Sequence, residues 1–453
     1  MQDSSQGAPT SDTTRAMTCD VLVIGGGPAG STAATLLARQ GHDVLLLDKD
    51  AHPRFHIGES LLPANLPLFE RLGVADEVRA IGMPKFGAEF MSPWHGFKQT
   101  FEFAEAWNKQ LPHAYQVRRS AFDQILLANA AKAGARVVQR CKVEHVDLDA
   151  SPAHAQARAR DTEGHTLDVR ARFVIDASGR DTFLASRLKL KHKNPHHNSV
   201  AVFTHFEGAR RNEGRAEGNI TIFWFDHGWF WFIPLQDGAT SVGMVTWPHF
   251  MRTRGERDLS RFLMDGIALC PPLAAQLQGA RIVHPPEATG NFSYQSERTH
   301  GRNYALLGDA YAFIDPVFSS GVMLAMQGGF DGAEAVHAWL GAASPAQQQA
   351  ALARLDQRLR HGPREFSWFI YRMTNPAMRD LFMGPRNTLR MKEALLSLLA
   401  GDIYGHTPIW RSLRAFKAVY YANTLLHLPR SVRAWRQRQR NMRTHDDGLA
   451  PRA

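Results

Sequence analysis

The chain has 453 residues, a formal net charge of +10 and a hydrophobic fraction of 44%. This length predicts two or three packed units. The longest strongly apolar stretch, residues 223–235, falls short of the ~20 apolar residues that a membrane-spanning helix needs. Three widely spaced cysteines exclude a disulfide scaffold and a CxxC-type metal site, and they favour a reducing, cytoplasmic location.

The positive charge is concentrated near the C-terminal end. Residues 409–443 contain nine Lys and Arg and no Asp or Glu, so the rest of the chain is close to neutral. A nucleic-acid partner is disfavoured, because its basic surface would lie on the folded body. The polar segment 1–17 lacks the apolar core of a signal peptide and is predicted to be a disordered tail.

A β-α-β unit opens the first folded part. Residues 20–24 are a short apolar run typical of a buried parallel strand, and a glycine-rich turn and an Ala- and Leu-rich helix follow. Residues 44–47 form the second strand. We assign residues 18–190 to this nucleotide-binding part, which also contains strand-like runs and helical segments.

The middle of the chain changes character. Aromatic and β-branched residues alternate over 197–250, which predicts an antiparallel sheet, and we assign residues 191–300 to an inserted substrate domain. Residues 301–345 return a strand and a helix to the nucleotide-binding part, and residues 346–453 are helical and end in the basic tail. The predicted fold class is therefore α/β: a Rossmann-like domain with an inserted antiparallel-sheet domain and a helical C-terminal region.

The glycine-rich turn has the context of a dinucleotide site. Gly25, Gly27 and Gly30 follow a strand and open a helix, and the acidic Asp48 ends the next strand. The glycines permit a tight turn and a close approach to a pyrophosphate, while the helix N-terminus attracts phosphate charge. The residues predicted to contact the dinucleotide here are Gly25, Gly27, Pro28, Ala29, Gly30, Asp48 and Lys49.

Two further motifs resemble those of the para-hydroxybenzoate-hydroxylase-like flavoproteins. One is the strand end Val174–Gly179, and the other is Tyr304–Ala310. Arg118 and Arg119 lie where that family has an arginine near the flavin. The resemblance implies FAD as cofactor, with contacts from Arg118, Asp176, Ala177, Gly179, Gly308 and Asp309. A second GxGxxG is missing, so a separate flavin reductase is the expected source of reducing equivalents.

Four more segments resemble flavin-dependent halogenases of the phenol and pyrrole branch. Residues 228–234, GWFWFIP, match their Trp-x-Trp-x-Ile-Pro pattern, and residues 315–322 resemble their flavin-facing loop. Residues 54–63 resemble the strap over the flavin, and Lys85 aligns with the active-site lysine. The resemblance covers residues 19 to about 405. It implies further FAD contacts from Arg54, Ile57, Gly58, Glu59, Ser60, Pro316, Gly321 and Val322.

The resemblance implies that reduced FAD and O2 convert chloride or bromide to hypohalous acid. Backbone N–H groups of Ser320 and Gly321 would hold the halide at a helix start, and Lys85 would receive the oxidant. Trp229 and Trp231 share one strand face and would separate flavin from substrate. Phe318 stands where the tryptophan-halogenating branch has a glutamate. This favours an electron-rich phenol- or pyrrole-like substrate, free or tethered to an acidic acyl carrier protein, in secondary metabolism.

Several alternatives stay open. The chain fits an FAD-dependent monooxygenase or a geranylgeranyl-reductase-like oxidoreductase, or a catalytically silent FAD-binding protein that docks a carrier. The histidine-rich run 191–197 is interpreted as a solvated loop, and no metal site is predicted. The basic tail is either a solvated helix with a frayed end, or a docking face for an acidic carrier protein or an anionic membrane surface.

Overall fold

The computed structural model describes residues 14–195, 197–290 and 293–442. Within these residues no helix combines the length and apolarity required to span a bilayer. The strands are β1 Thr14–Ile24, β2 Val44–Leu47, β3 Met83–Lys85, β4 Gly87–Ser92, β5 Phe97–Glu102, β6 Ala114–Gln116, β7 Arg136–Val138, β8 Cys141–Asp147, β9 Ala155–Asp161, β10 Thr166–Asp176, β11 Lys191–Lys193, β12 Val200–Glu207, β13 Ile220–Phe225, β14 Gly228–Pro234, β15 Thr240–Thr246, β16 Arg281–Ile282, β17 Glu287–Gly290, β18 Tyr294–Ser296, β19 Tyr304–Leu306 and β20 Ala312–Phe313.

The helices occupy the connections and the C-terminal region. They are α1 Pro28–Arg39, α2 Leu66–Leu72, α3 Ala75–Ile81, α4 Arg119–Lys132, α5 Phe183–Arg187, α6 Pro248–Arg252, α7 Leu259–Ala268, α8 Pro271–Gln276, α9 Gly321–Leu340, α10 Pro345–Ile370, α11 Pro376–Met383, α12 Met391–Leu399, α13 Trp410–Leu426 and α14 Leu428–Met442.

A seven-stranded sheet forms the nucleotide-binding part. The strands β7, β2, β1, β10 and β19 are parallel, and β9 and β8 extend the other end of β10 in antiparallel pairing. Helices α1, α4 and α9 pack together beside it. The apolar runs of β1 and β2 are buried on both faces, as expected for a parallel sheet between layers.

The prediction of a disordered tail over 1–17 is wrong at its end. Thr14–Met17 belongs to β1 and pairs with Thr166–Val169, because the long β10 begins well before the nucleotide-binding end of the sheet and its first residues offer a free edge to β1. Residues 1–13 lie outside the described residues.

The second large sheet has the strand order β16-β12-β15-β14-β13-β4-β5, and β17 also pairs with β12. The assignment of β4 and β5 to the nucleotide-binding part needs correction, since β4 pairs with β13 and extends this sheet. Residues 191–300 are also not sheet alone, because α6, α7 and α8 lie within them.

Alternation along β14 sends its aromatic residues into two different cores. Trp229, Trp231 and Ile233 pack with the C-terminal helices, while Phe230 and Phe232 pack against α7 and α8. One face of this sheet is therefore available to a site between it, α9 and the nucleotide-binding sheet. The predicted α/β fold class, with its antiparallel sheet and helical C-terminal region, is confirmed.

Candidate active site

A cavity of about 400 Å³ lies where the carboxyl ends of β1, β2 and β19 meet the large sheet and the start of α9. That size falls in the range of small-molecule and cofactor sites. Of the sequence-predicted site residues, those lining it are Gly25, Gly27, Pro28, Ala29, Asp48, Lys49, Arg54, Ile57, Gly58, Glu59, Ser60, Ala177, Gly179, Trp229, Trp231, Gly308, Asp309, Pro316, Ser320, Gly321 and Val322.

The glycine-rich turn is fixed by close backbone packing. Gly25 has φ +99°, and a Cβ there would lie 2.4 Å from the carbonyl oxygen of Ala177. A Cβ on Gly30 would lie 1.9 Å from the carbonyl oxygen of Gly25, so Gly30 supports the turn from behind without lining the cavity. A Cβ on Gly27 would meet no atom within 4 Å, which leaves the N-terminus of α1 open to a ligand.

Asp48 joins the end of β2 to this turn. Its Oδ2 accepts a hydrogen bond from the Gly26 N–H at 2.6 Å, and its Oδ1 accepts one from the Asp50 N–H at 2.8 Å. Burial opposes the charged form, but the hydrogen bonds from His52, Asp50 and Gly26 outweigh it and lower the pKa of Asp48. The carboxylate is thus held ionised at the cavity wall. Lys49 beside it pairs with Asp181 at 2.5 Å.

The two other flavoprotein motifs each contain an aspartate, and only one of these aspartates lines the cavity. Asp176 does not line the cavity: it is buried and accepts hydrogen bonds from the N–H groups of Ser178 (3.0 Å) and Leu184 (2.7 Å), so it shapes the loop that carries Gly179. Asp309 does line the cavity. Burial raises its pKa to about 6, against the opposing effect of Arg180 and Arg119.

Of the two arginines, Arg119 lines the cavity and Arg118 does not, although Arg118 Nη1 lies 4.0 Å from the carboxylate of Glu59, which does line it. Arg118 lies before α4 and pairs with Asp237 at 2.7 Å, outside the cavity lining. Arg119 begins α4, lines the cavity, and donates to Asp123 at 2.8 and 2.9 Å and to the carbonyl oxygen of Ile57 at 2.9 Å. Adjacent residues at a helix start face different directions, and the sequence alone does not distinguish them.

The strap, residues 54–63, is tied to two other parts of the molecule. The carbonyl of Ile57 holds Arg119, and the carboxylate of Glu59 accepts a hydrogen bond from His205 Nε2 at 2.9 Å. Ser60 forms a β-bridge with Gln116 of β6. Because β3 pairs with the same strand, Ser60 and Lys85 become neighbours.

Lys85 is fully buried beside the strap. Its Nζ donates to Ser60 Oγ at 2.9 Å and to the carbonyl oxygen of Leu61 at 3.0 Å, and it lies 5.3 Å from the ring centre of Phe103. Among the described residues it has no carboxylate partner, and burial lowers its pKa from 10.5 to about 7. Lys85 does not itself line the cavity, whereas its partner Ser60 does. Such an amine is poised between its two protonation states near neutral pH.

The two tryptophans of β14 reach the cavity from the large sheet. Their ring centres are 6.1 Å apart, and Trp231 Nε1 donates to Ser241 Oγ at 3.1 Å. A Cβ on Gly243 would lie 2.1 Å from the Trp231 ring, so this glycine makes room for the indole. Trp231 is therefore fixed in position, and Trp229 packs beside it on the same face of the sheet.

Phe318 does not reach the cavity, and its assignment as a catalytic residue is not supported by its position. It is buried and stacks on Phe382 of α11, with ring centres 6.2 Å apart. The turn at Pro316–Phe318 directs this side chain into the apolar core between the large sheet and the C-terminal helices.

The loop after β20 presents backbone groups at the start of α9. Ser320 precedes this helix and Gly321 begins it, and both residues line the cavity. The first N–H groups of a helix have no intrahelical acceptor, and the helix dipole favours an anion there. The preceding Ser319 has φ +56°, which turns the chain into the helix.

A buried network holds this loop and was not foreseen from the sequence. Asp315 Oδ2 lies 2.7 Å from His197 Nε2, and His197 Nδ1 lies 3.2 Å from Arg438 Nη2 of α14. Arginine can only donate, so Nδ1 accepts and Nε2 donates to Asp315. The solvated-loop interpretation is wrong for His197, which is buried, and a frayed end is wrong for Arg438; His196 lies outside the described residues.

No metal-ligand cluster includes the described part of the histidine-rich run. Across the described ranges, the three groups close enough to share an ion are Asp161, Glu163 and His165, at the turn between β9 and β10, and none of them lines the cavity. The residues instead fit a dinucleotide cofactor: an open helix N-terminus, an ionised Asp48 at a strand end and cavity-lining glycines at 27, 179, 308 and 321.

Comparison with known proteins agrees with this fit. Residues 18–351 match the model of the FAD binding domain family. A tryptophan 2-halogenase of Chondromyces crocatus is 36% identical over 310 residues, which span 68% of this chain and 58% of that protein. A 1H-pyrrole-2-carbonyl-(peptidyl-carrier protein) chlorinase of Pseudomonas fluorescens is 30% identical and covers 85% and 89% of the two chains.

A solved structure resembles most of the chain. It is the myxobacterial chondrochloren halogenase, described as a new variant of FAD-dependent halogenases. The TM-score is 0.75 at 33% identity, with 90% of this chain and 97% of that chain covered.

Proposed function

We propose that this chain, which belongs to the flavin-dependent halogenases, halogenates an electron-rich aromatic ring. Its membership of that family makes it an FAD-dependent enzyme. Bound FAD, once reduced, supplies the activation of O2 that turns a halide into an electrophilic halogen. The observation that carries the proposal is the buried amine of Lys85, linked through Ser60 to the cavity wall.

The role we assign to Lys85 follows from its surroundings. Its amine has only neutral hydrogen-bond partners among the described residues and a pKa of about 7. As an ammonium it can donate to the oxygen of hypohalous acid and orient the halogen, and as an amine it can form an N–halogen bond with loss of water. Both roles need a site shielded from bulk water, which burial supplies.

The wall and the halide site complete the proposed arrangement. Trp229 and Trp231 bound the cavity on the large-sheet side, so a small oxidant passes while a bulky ring is kept from the flavin. The N–H groups at Ser320 and Gly321 hold the halide without a charged side chain.

We propose a phenol- or pyrrole-like substrate, tethered to an acyl carrier protein. A relative that covers most of this chain is named for a pyrrole carried by a peptidyl-carrier protein, and no carboxylate stands at position 318.

Reduced flavin comes from a separate reductase, because the sequence offers no second dinucleotide motif. We place the enzyme in the cytoplasm, consistent with three free, buried cysteines.

The test supplies reduced FAD, O2 and bromide to the purified chain with phenol, pyrrole and carrier-bound pyrrole probes. Product carrying one bromine shows a mass doublet of nearly equal peaks. Lys85→Met should still consume reduced FAD and release peroxide but give no brominated product, and the surface variant Lys132→Met should match the parent. Hydroxylated or reduced product without bromide dependence would instead identify a monooxygenase or reductase. FAD binding without turnover would identify a silent carrier-docking protein.

A further inference from the structure

The corner between α13 and α14 exposes an unusual amount of apolar surface. Leu425, Leu426 and Leu428 are exposed by 69%, 81% and 50%, and we call these three residues the leucine corner. They lie where α13 ends and α14 begins, and their exposure shows that these side chains point away from the core. Single exposed apolar residues are common, whereas neighbouring exposed apolar side chains are typical of interaction surfaces.

A basic stripe continues from this corner along α14. Arg433, Arg436 and Arg440 recur at spacings of three and four, which places them on one helix face. None of the three forms an ion pair with a described residue, and all are exposed. The sequence from 403 to 442 contains no Asp or Glu that would neutralise them.

Two other arginines of α14 are paired or partly buried, so exposure without an ion pair is not a general property of the arginines on this helix. Arg430 pairs with Asp380 at 2.7 Å, and Arg438, which is half-buried, contacts His197 and the carbonyl of Tyr371. These two hold α14 on the protein, so the opposite face with the basic stripe is left to solvent. Trp435, exposed by 60%, flanks that face.

We propose that the leucine corner and the basic stripe form a docking surface for an anionic lipid membrane. This inference goes beyond the proposed halogenase function and does not depend on it. Arginines attract anionic headgroups, leucines enter the acyl boundary, and a tryptophan suits the interface between them. Exposed leucines and a tryptophan beside arginines without carboxylate partners among the described residues match the apolar, aromatic and anionic layers of a lipid interface, whereas a folded protein partner would need a cleft shaped to receive them.

The expected strength follows from the same residues. Each basic residue near an anionic surface contributes about a fivefold gain in affinity, so the three arginines together contribute about a hundredfold. The attraction should weaken as salt shortens the screening length. Burying two leucines adds at least tenfold more, independent of salt.

The test is co-sedimentation of the full chain with vesicles of phosphatidylcholine, with and without phosphatidylglycerol, at low and high salt. Binding is expected on the vesicles with phosphatidylglycerol, and high salt should weaken it. The double variant Leu425→Ser/Leu426→Ser should bind at least tenfold more weakly. Arg433→Gln/Arg436→Gln should lose most of the preference for anionic vesicles. Leu269→Ser, at another exposed leucine, is the matched control and should bind as the parent does.

Several results would overturn the proposal. One is failure of the parent to bind the anionic vesicles, and another is unchanged binding by both double variants. A third is a leucine-dependent dimer in solution, or leucine-dependent binding of an acidic carrier protein, without any vesicle binding. Halogenation of a soluble probe should stay equal in parent and variants, so loss of membrane binding is distinguishable from failure of the proposed function.

Discussion

Replacing Lys85 with methionine should stabilise the folded protein below neutral pH. The side chains have similar shape, and methionine removes an amine whose charged form is disfavoured by complete burial. The folded-state pKa of about 7 lies below the 10.5 of the free side chain, so protonation costs the folded chain about 5 kcal/mol at pH 6. Loss of the hydrogen bonds to Ser60 and Leu61 offsets about 2 kcal/mol of this, at ~1 kcal/mol each. The expected net gain is therefore about 3 kcal/mol.

The sign of the pH dependence is fixed by the same shift. Between pH 7 and 10.5 the unfolded chain binds more protons at Lys85 than the folded chain does, so the stability of the parent rises with pH. From pH 7 to pH 9 the parent should gain about 2 kcal/mol relative to Lys85→Met. The free energy of unfolding of Lys85→Met should therefore exceed that of the parent by about 2 kcal/mol less at pH 9 than at pH 7.

Urea unfolding of the apoprotein at pH 6, 7, 8 and 9, followed by tryptophan fluorescence, measures this difference. Lys132→Met is the control, because Lys132 lies on the exposed face of α4 and its removal should give no pH-dependent change. A difference between parent and Lys85→Met that does not vary with pH would refute the burial of the amine, and with it the site proposed here.

Three further outcomes test other parts of the site. Gly30→Ala should lose FAD binding and about 3 kcal/mol of stability, because its Cβ would lie 1.9 Å from a backbone oxygen. The control Gly27→Ala should fold normally by circular dichroism, because its Cβ would meet no atom within 4 Å. Asp309→Asn should raise the melting temperature of the apoprotein more at pH 7 than at pH 4. Burial raises the carboxyl pKa of Asp309 to about 6, so the parent loses stability as the pH rises toward and through 6. An equal rise in melting temperature at pH 4 and pH 7 would contradict this prediction. Arg438→Met should raise the halide KM several-fold by loosening the loop before α9, with Arg436→Met unchanged; equal halide KM values would show that α14 does not position that loop.

Local spacing determined much of what the sequence predicted. The glycines at 25, 27 and 30 followed by Asp48 specify a strand, a tight turn and a helix within one segment, and the structure places them together. The period-two alternation of residues 229–233 likewise fixes which side chains share a face. Together with the other motifs they gave the α/β class, the FAD cofactor and the halogenase resemblance, all of which are confirmed.

Tertiary packing decided the features that depend on contacts between distant segments. Arg119 and not Arg118 faces the cavity because the strap carbonyl of Ile57, 62 residues away, meets that side chain. His197 is buried because it lies between Asp315, in the loop before α9, and Arg438 of α14, which is 241 residues further along the chain. Lys85 has its lowered pKa only because other strands and the strap enclose it. The local sequence pattern determines which residues form a strand or helix and which side chains share a face. The surroundings of each side chain depend on the distant segment that folds against it, and local spacing does not specify that segment.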